Sequence, residues 1–282
     1  MAENIHEIED FENYDEACKS YDKMGRLPVC FEEIIQHIPF NCSLLDAGCG
    51  SGNYMEPLIK SGKLRKYTGI DRSEGMLEHA KLKASKITTD VEIVIEKQNL
   101  LCPLPFNSNV FDAIIINQVL QHVTDLTQPD RTEQLQPIQN IFHEFRRILK
   151  RGGTLCINCS TRTQTRAVWY LSLVFSEERL SAVCNRYIDL DEYRHLLEMA
   201  KFENFQSIIS HESFLGDNQC KYELAFEPSY RDSLSSWSLA TDNELKHGLE
   251  KLKILLKDRK KFDDHVRANL EKEGHSFEII AS

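Results

Sequence analysis

Short apolar runs alternate with amphipathic stretches between about residues 43 and 160. One of these runs, FDAIIINQ at 111–118, is apolar throughout its middle, which is typical of a strand that is buried on both faces. Strands that alternate with helices predict βαβ units and a parallel sheet that carries helices on both faces. The strands predicted in this way are 43–48, 66–71, 91–97, 111–118, 153–160 and 205–214, and SFEIIAS at the end of the chain predicts one more.

Apolar residues at helical spacing predict the helices between these strands, at 54–60, 73–86, 138–153 and 189–202. The segment from 161 to 188 is also helical in pattern and is unusually aromatic. Near the C-terminus, Thr241 and Glu244 form a capping-box pattern, which predicts the start of a helix with leucines along one face. A second amphipathic helix follows it, with Phe262 and Val266 four residues apart.

The composition fits one large globular domain, or one domain with insertions, since 41% of the 282 residues are hydrophobic and 28% are charged. The 34 Lys and Arg residues stand against 44 Asp and Glu residues, and this net charge of −10 disfavours a nucleic-acid partner. We find no signal peptide or membrane-spanning pattern, and we therefore expect a cytoplasmic protein without membrane insertion. The nine cysteines should then be reduced, and we expect no metal at Cys156 and Cys159, which lie in a predicted buried strand.

The strongest motif is the glycine loop LLDAGCGSGNY at 44–54, which follows the first strand and precedes a helix. Glycines at this point let the backbone turn tightly and let a ligand approach closely. A dinucleotide fingerprint would need a glycine where Asn53 stands, and the carboxylate of Asp46 would repel a pyrophosphate. The same carboxylate suits a ligand that carries an ammonium or sulfonium group.

This loop resembles motif I of the class I S-adenosylmethionine-dependent methyltransferases. The resemblance covers about residues 40–215 and is closest to the small-molecule branch with the ubiquinone and menaquinone methyltransferases. It includes GIDRSEGML at 69–77, QNLLCPLPFNSNVFDAIIINQVLQHV at 98–123 and ILKRGGTL at 148–155. The resemblance implies an α/β fold: a Rossmann-like, doubly wound, seven-stranded sheet, with strands one to six parallel and the last strand antiparallel between strands five and six.

The resemblance also implies that S-adenosylmethionine is the cofactor, and it assigns residues to it. Asp71 would bind the two ribose hydroxyls, since a carboxylate offers two acceptor oxygens to a vicinal diol. Asn99 and Leu100 would lie at the adenine, and Asn117 and Gln118 near the methionine part. The cofactor-binding residues implied are Asp46, Gly48, Gly50, Gly52, Asp71, Arg72, Met76, Asn99, Leu100, Asn117, Gln118, Tyr14 and Tyr21.

The implied reaction is transfer of a methyl group to a small-molecule acceptor by in-line displacement, which depends mainly on alignment of the two reactants. We expect residues 1–40 to form a helical leader over the cofactor site and 41–282 to form the methyltransferase domain. Insertions at about 161–188 and 215–274 should form a lid over the acceptor. The residues predicted to act on the acceptor are His122 and Tyr21 in catalysis and Arg162, Arg166, Trp169, Tyr170, Arg231 and Trp237 in substrate binding.

Three other functions are compatible with the sequence. One is a nicotinamide-dependent oxidoreductase, which the missing glycine and the Asp46 carboxylate disfavour. Another is an inactive, methyltransferase-like scaffold, which the intact glycine loop and Asp71 disfavour. The third is a protein methyltransferase, which should have an open groove instead of a lidded pocket. The atom that is methylated and the oligomeric state are left open, and His122 and the arginines have ordinary packing or surface roles as alternatives.

Overall fold

Seven strands form one sheet in the order β3-β2-β1-β4-β5-β7-β6. The computed structural model describes Tyr14, Cys18, Tyr21, Asp22 and residues 26–213 and 220–282. The strands are β1 (Cys42–Ala47), β2 (Leu64–Asp71), β3 (Glu92–Lys97), β4 (Phe111–Asn117), β5 (Leu149–Cys159), β6 (Gln206–Ser210) and β7 (Ser276–Ala281). The helices are α1 (Phe31–His37), α2 (Met55–Lys60), α3 (Glu74–Ala84), α4 (Arg131–Ile148), α5 (Arg162–Ala167), α6 (Trp169–Val174), α7 (Glu177–Asn185), α8 (Leu190–Met199), α9 (Pro228–Asp232), α10 (Asp242–Leu255) and α11 (Arg259–Glu273).

The C-terminal strand β7 lies between β5 and β6 and is antiparallel to both. Strands β1 to β5 pair with one another in parallel, and β6 has the same direction because both it and β5 oppose β7. The predicted sheet, with six parallel strands and an inserted antiparallel strand, is therefore confirmed. Because the parallel strands end at one edge of the sheet, the loops that leave them share that edge.

The central strand β4 is buried on both faces, as its apolar sequence predicts. Ile114 and Ile116 belong to the core that α4 and α8 cover. Ala113 and Ile115 belong to the core on the opposite face, which α1 and α2 cover. Because successive side chains of a strand point to opposite faces of the sheet, β4 packs against the helices on both faces.

A third hydrophobic core lies outside the sheet and is built from the two predicted insertions. It combines apolar residues of 168–184 with those of 220–270. Trp169 packs edge-on against Tyr222 and Phe262, with ring centroids 5.2 and 6.1 Å away, and Tyr170 stacks on Trp237 at 4.8 Å. The two insertions therefore pack on each other and form one helical unit, which we call the lid.

Helix α4 begins at Arg131, earlier than the predicted residue 138. The Asp130 side chain accepts hydrogen bonds from the backbone N–H groups of Thr132 and Glu133 and so caps the helix, while Pro137 lies inside it. The helix also ends at Ile148 instead of 153, because the next residues enter β5. Proline has no backbone N–H to donate and is therefore unfavourable inside a helix, so the sequence pattern predicted a helix that starts just after Pro137.

The other differences lie in the lid. The single helical stretch predicted for 161–188 is three short helices, α5 to α7. Residues 222–239, for which no helix was predicted, contain α9 between two 3-10 turns. The predicted Thr241 capping box is present and begins α10. The predicted turn at 214–220 lies almost wholly outside the described residues, and no helix in the described ranges is long and apolar enough to span a membrane.

Candidate cofactor and acceptor site

The glycine loop lies between β1 and α2, and Gly48, Gly50 and Gly52 all have positive φ angles of 78°, 52° and 80°. The Gly48 N–H donates to the Ile70 carbonyl oxygen at 2.8 Å, which ties the loop to β2. A Cβ at Gly48 would come within 2.4 Å of the Val119 Cγ2 atom. A Cβ at Gly50 would meet no protein atom within 4 Å, although Gly50 lines a cavity. The loop therefore leaves room for a ligand beside its backbone.

Asp71 ends β2 and fastens this loop to the start of α3. Its Oδ2 atom accepts a hydrogen bond from the Gly50 N–H, and its Oδ1 atom accepts one from the Ser73 N–H, both at 2.9 Å. Ser73 in turn caps α3 by accepting from the Met76 N–H. A carboxylate can accept about four hydrogen bonds, so these two leave capacity for a pair of ligand hydroxyls.

A cavity of about 710 Å³ of empty space, its mouth included, lies beside the loop at the C-terminal edge of the sheet. Most of the residues predicted to bind the cofactor line it. Gln98, Val119 and Val123 line it too and were not predicted, because they carry no motif of their own. The predicted residues in the lining are Tyr14, Tyr21, Gly48, Gly50, Asp71, Arg72, Met76, Asn99, Leu100, Asn117, Gln118 and the proposed catalytic His122.

Asn117, at the end of β4, gives the most direct sign of a ligand. Its side-chain nitrogen and oxygen are both buried, and neither has a hydrogen-bond partner among the described residues. The neighbouring Gln118 is different, because its amide donates to Asn158 Oδ1 at 2.9 Å. An unpaired amide is unfavourable, and a polar ligand in the cavity would satisfy both of its groups. This fits the predicted contact with the methionine part of the cofactor.

Asp46 and Gly52 do not line the cavity, in contrast to their predicted role. Asp46 is 2% exposed, and its Oδ2 atom accepts a hydrogen bond from the Tyr67 hydroxyl at 2.7 Å. Burial raises the pKa of Asp46 to about 7, although the Tyr67 hydrogen bond acts in the opposite direction. Asp46 is thus a buried group beneath the loop. Gly52 faces α3, where an added Cβ would lie 3.4 Å from the Ala80 Cβ atom.

Residues 45–157 match the sequence family described as a methyltransferase domain. This segment is a methyltransferase domain. The match begins in β1 and ends in β5, so it includes the glycine loop, Asp71 and Asn117. The methyltransferase domain and the lining of its cavity together confirm S-adenosylmethionine as the predicted cofactor.

Individual proteins support the same family. Staphylococcus aureus demethylmenaquinone methyltransferase is 30% identical over 172 residues, which are 57% of this chain and 62% of that protein. The human mitochondrial ubiquinone biosynthesis O-methyltransferase is 27% identical over 167 residues, 56% of this chain and 41% of that protein. The chain thus spans less than two thirds of each. Phosphoethanolamine N-methyltransferase 2 of Haemonchus contortus shares the fold at 16% identity, with a TM-score of 0.55 over 96% of this chain and 59% of its own.

A second cavity adjoins the first and encloses about 1320 Å³ of empty space, its mouth included. The methyltransferase domain provides one wall, and the lid provides another with apolar side chains. Arg26, Arg186 and Glu212 add charged groups, of which none was predicted. The two cavities share Tyr14, Tyr21, Asn117, Gln118 and His122.

His122 lies at the boundary between the cavities and contacts three polar side chains. Its Nε2 atom is 3.1 Å from the Tyr14 hydroxyl oxygen and 3.1 Å from the Gln121 amide nitrogen, and its Nδ1 atom is 3.3 Å from an Arg186 nitrogen. Arginine and the amide nitrogen of glutamine only donate hydrogen bonds, so each ring nitrogen of His122 faces a donor. The Tyr14 hydroxyl can either donate to Nε2 or accept from it.

The aromatic residues that were predicted to contact the acceptor do not all line the second cavity. Tyr170 lines the second cavity, and its hydroxyl lies 2.7 Å from Ser236 Oγ. Trp237 stacks behind Tyr170 at an angle of 11° and does not line the cavity. Trp169 packs inside the lid. Tyr21 lines both cavities, and the guanidinium carbon of Arg26 lies 3.9 Å from its ring centre.

The three arginines predicted to bind the acceptor line neither cavity. Arg162 forms ion pairs with Asp189 at 2.7 Å and Glu192 at 2.8 Å, which join α5 to the start of α8. Arg166 is paired with Glu177, and Arg231 donates to the Ala225 carbonyl oxygen at 2.7 Å. These pairings form only in the folded chain, whereas the sequence shows only that the residues belong to the insertions.

Proposed function

We propose that this protein transfers a methyl group from S-adenosylmethionine to a small-molecule acceptor in the second cavity. The observation that carries the proposal is the shared boundary of the two cavities. Five residues line both of them, so ligands in the two cavities would lie next to each other. Methyl transfer requires this arrangement, because the acceptor atom must approach the methyl carbon directly.

Bound S-adenosylmethionine would supply a methyl group activated by its attachment to a sulfonium. The glycine loop and Asp71 would hold the nucleoside, and Asn117 would pair with the amino-acid part. The lid would hold the acceptor against this site and exclude water with apolar side chains such as Leu171 and Leu239. Alignment of two bound reactants is the main catalytic effect, and no covalent enzyme intermediate is needed.

Proton removal from the acceptor would involve Tyr14 and His122. The Tyr14 hydroxyl lies 3.1 Å from His122 Nε2 and lines both cavities, so the acceptor proton can pass to the Tyr14 oxygen as the Tyr14 proton passes to Nε2. We therefore propose that His122 orients Tyr14 at the acceptor and takes up its proton. The catalytic roles predicted for His122 and Tyr21 stay predictions, as do a cytoplasmic location and the absence of a nucleic-acid partner.

An oxidoreductase and an inactive scaffold would each differ from a methyltransferase in a binding and transfer experiment. Calorimetric titration should show saturable binding of S-adenosylmethionine and S-adenosylhomocysteine and none of NAD. Incubation with methyl-labelled cofactor and fractionated metabolites should then move label into a small-molecule fraction. Binding of NAD alone would favour an oxidoreductase. Cofactor binding without transfer to any fraction would favour the scaffold.

A further inference from the structure

A thiol and two carboxylates converge at the wall of the second cavity. Cys30 precedes α1, Glu33 lies on α1, and Glu212 follows β6. The Cys30 Sγ atom and one carboxylate oxygen from each glutamate lie within 4.8 Å of one another. Glu212 also lines the acceptor cavity and accepts a hydrogen bond from the Cys30 backbone N–H at 2.7 Å.

Glu278 adds a third carboxyl group to this place. It lies on β7 directly opposite Asn158 of β5, so the two side chains share one face of the sheet. The Asn158 amide nitrogen lies 3.3 Å from Cys30 Sγ, which puts Glu278 on the side of the sheet that faces the thiol. Glu278 is fully buried, and neither of its carboxyl oxygens has a hydrogen-bond partner of normal geometry among the described residues, although the nearby Asn158 amide opposes the rise in its pKa that burial causes.

The cluster lacks a compensating positive charge. No Lys or Arg in the described ranges forms an ion pair with Glu33, Glu212 or Glu278. Burial, together with smaller contributions from the three glutamates, raises the pKa of Cys30 to about 12. Burial raises the pKa of Glu278 well above its usual range, and buried carboxyl groups without a cation are usually protonated, hydrogen-bonded or coordinated to metals.

We propose that Cys30, Glu33, Glu212 and Glu278 bind one divalent metal ion of the zinc class. A thiolate with carboxylate oxygens is a ligand set that zinc accepts. Ligand atoms in a tetrahedral zinc site are about 3.5 Å apart, so the three closest groups need only a small inward rotation. Glu278 would turn toward the ion as the fourth ligand. The Cys30 thiol would lose its proton to solvent on binding, as would Glu278 where it is protonated.

Such an ion would connect the start of α1 to the segment after β6, and so it would stiffen one wall of the acceptor cavity through Glu212.

This metal site does not depend on the proposed methyl transfer. It can be tested on the full chain without any acceptor or cofactor.

The test is titration of the metal-free, reduced protein with Co²⁺, which gives a thiolate-to-cobalt charge-transfer absorption when a cysteine binds it. We expect one ion per chain, an absorption that Zn²⁺ removes by competition, and loss of that absorption in Cys30→Ser. Cys102→Ser is the matched control, because Cys102 is exposed and lies outside the cluster. It should keep the absorption. Absence of the band in the wild type, or its persistence in Cys30→Ser, would overturn the proposal.

A second pair of variants keeps the test valid if Cys30→Ser does not fold. Glu33→Gln removes one ligand on α1, and Glu32→Gln changes its exposed neighbour. Glu33→Gln should weaken Zn²⁺ binding by at least about tenfold and reduce the rise in melting temperature that Zn²⁺ causes. Equal Zn²⁺ affinity in Glu33→Gln, Glu32→Gln and the wild type would contradict the site.

Discussion

Gly50 and Gly62 form a matched pair of positions for testing where the cofactor lies. Both have positive φ, 52° and 71°, and a Cβ at either one would meet no protein atom within 4 Å. An alanine in this backbone region is strained by about 1 to 2 kcal/mol, so both alanine variants should lose a similar small amount of stability. Of the two, Gly50 alone lines the cofactor cavity.

Gly50→Ala therefore places a methyl group in the space that bound S-adenosylmethionine would fill. Steric crowding by one methyl group is typically unfavourable by about 1 to 3 kcal/mol, which corresponds to about a 5- to 150-fold loss of affinity. Gly62→Ala should keep the wild-type affinity. Calorimetric titration with S-adenosylhomocysteine measures the affinities, and denaturant unfolding measures the stabilities. Equal affinity of Gly50→Ala and Gly62→Ala would refute the placement of the cofactor beside the loop.

Three further variants test other parts of the site. Asp71→Ala removes the proposed ribose acceptor and two loop hydrogen bonds, so it should weaken cofactor binding by about 100-fold and lower stability, whereas the exposed Asp90→Ala should do neither in the same titration. Asp46 has a folded-state pKa of about 7, above its ordinary 3.8, so its stabilising contribution is present at low pH and lost as the pH rises to about 7. Between about pH 4 and 7, the free energy of unfolding of the wild type should thus fall, relative to that of Asp46→Asn, by about 1 kcal/mol per pH unit. Denaturant unfolding at several pH values measures both free energies, and the same pH dependence in both proteins would exclude this pKa. Tyr14→Phe should lower kcat by at least about tenfold with little change in cofactor affinity, and an unchanged kcat would exclude Tyr14 from proton transfer.

The strands and the glycine loop could be predicted because their information is local. The apolar middle of β4 and the alternation with helices determine a sheet covered on both faces, and each loop residue carries its own backbone preference. The position of the last strand came from the family resemblance, since nothing in SFEIIAS itself specifies the pairing with Cys156 and Ile208. Helix α4 was placed too late because Pro137 is a stronger local signal than the Asp130 cap.

The acceptor side could be predicted only as a region. The two insertions are evident from their length, and they pack on each other around a core of their own. Which side chains face the cavity depends on partners far away in the chain, as when Asp189 and Glu192 hold Arg162 outside it. Arg186 lines the cavity although no sequence pattern marks it.

Asp46 shows the same limit within a recognised motif. Its position before the glycines suggested a contact with the charged part of the cofactor. The carboxyl group instead accepts from Tyr67, a residue of the neighbouring strand β2 that β1 pairs with in parallel. A buried hydrogen bond between strands is a tertiary contact, and so the motif alone did not predict it.

The most direct test of the central claim is transfer of labelled methyl groups from S-adenosylmethionine to a fractionated pool of small molecules. The wild-type protein should label at least one small-molecule fraction, and Gly50→Ala should label it far more slowly while Gly62→Ala matches the wild type. Failure of the folded wild-type protein, shown to bind the cofactor, to label any small-molecule fraction would contradict the account.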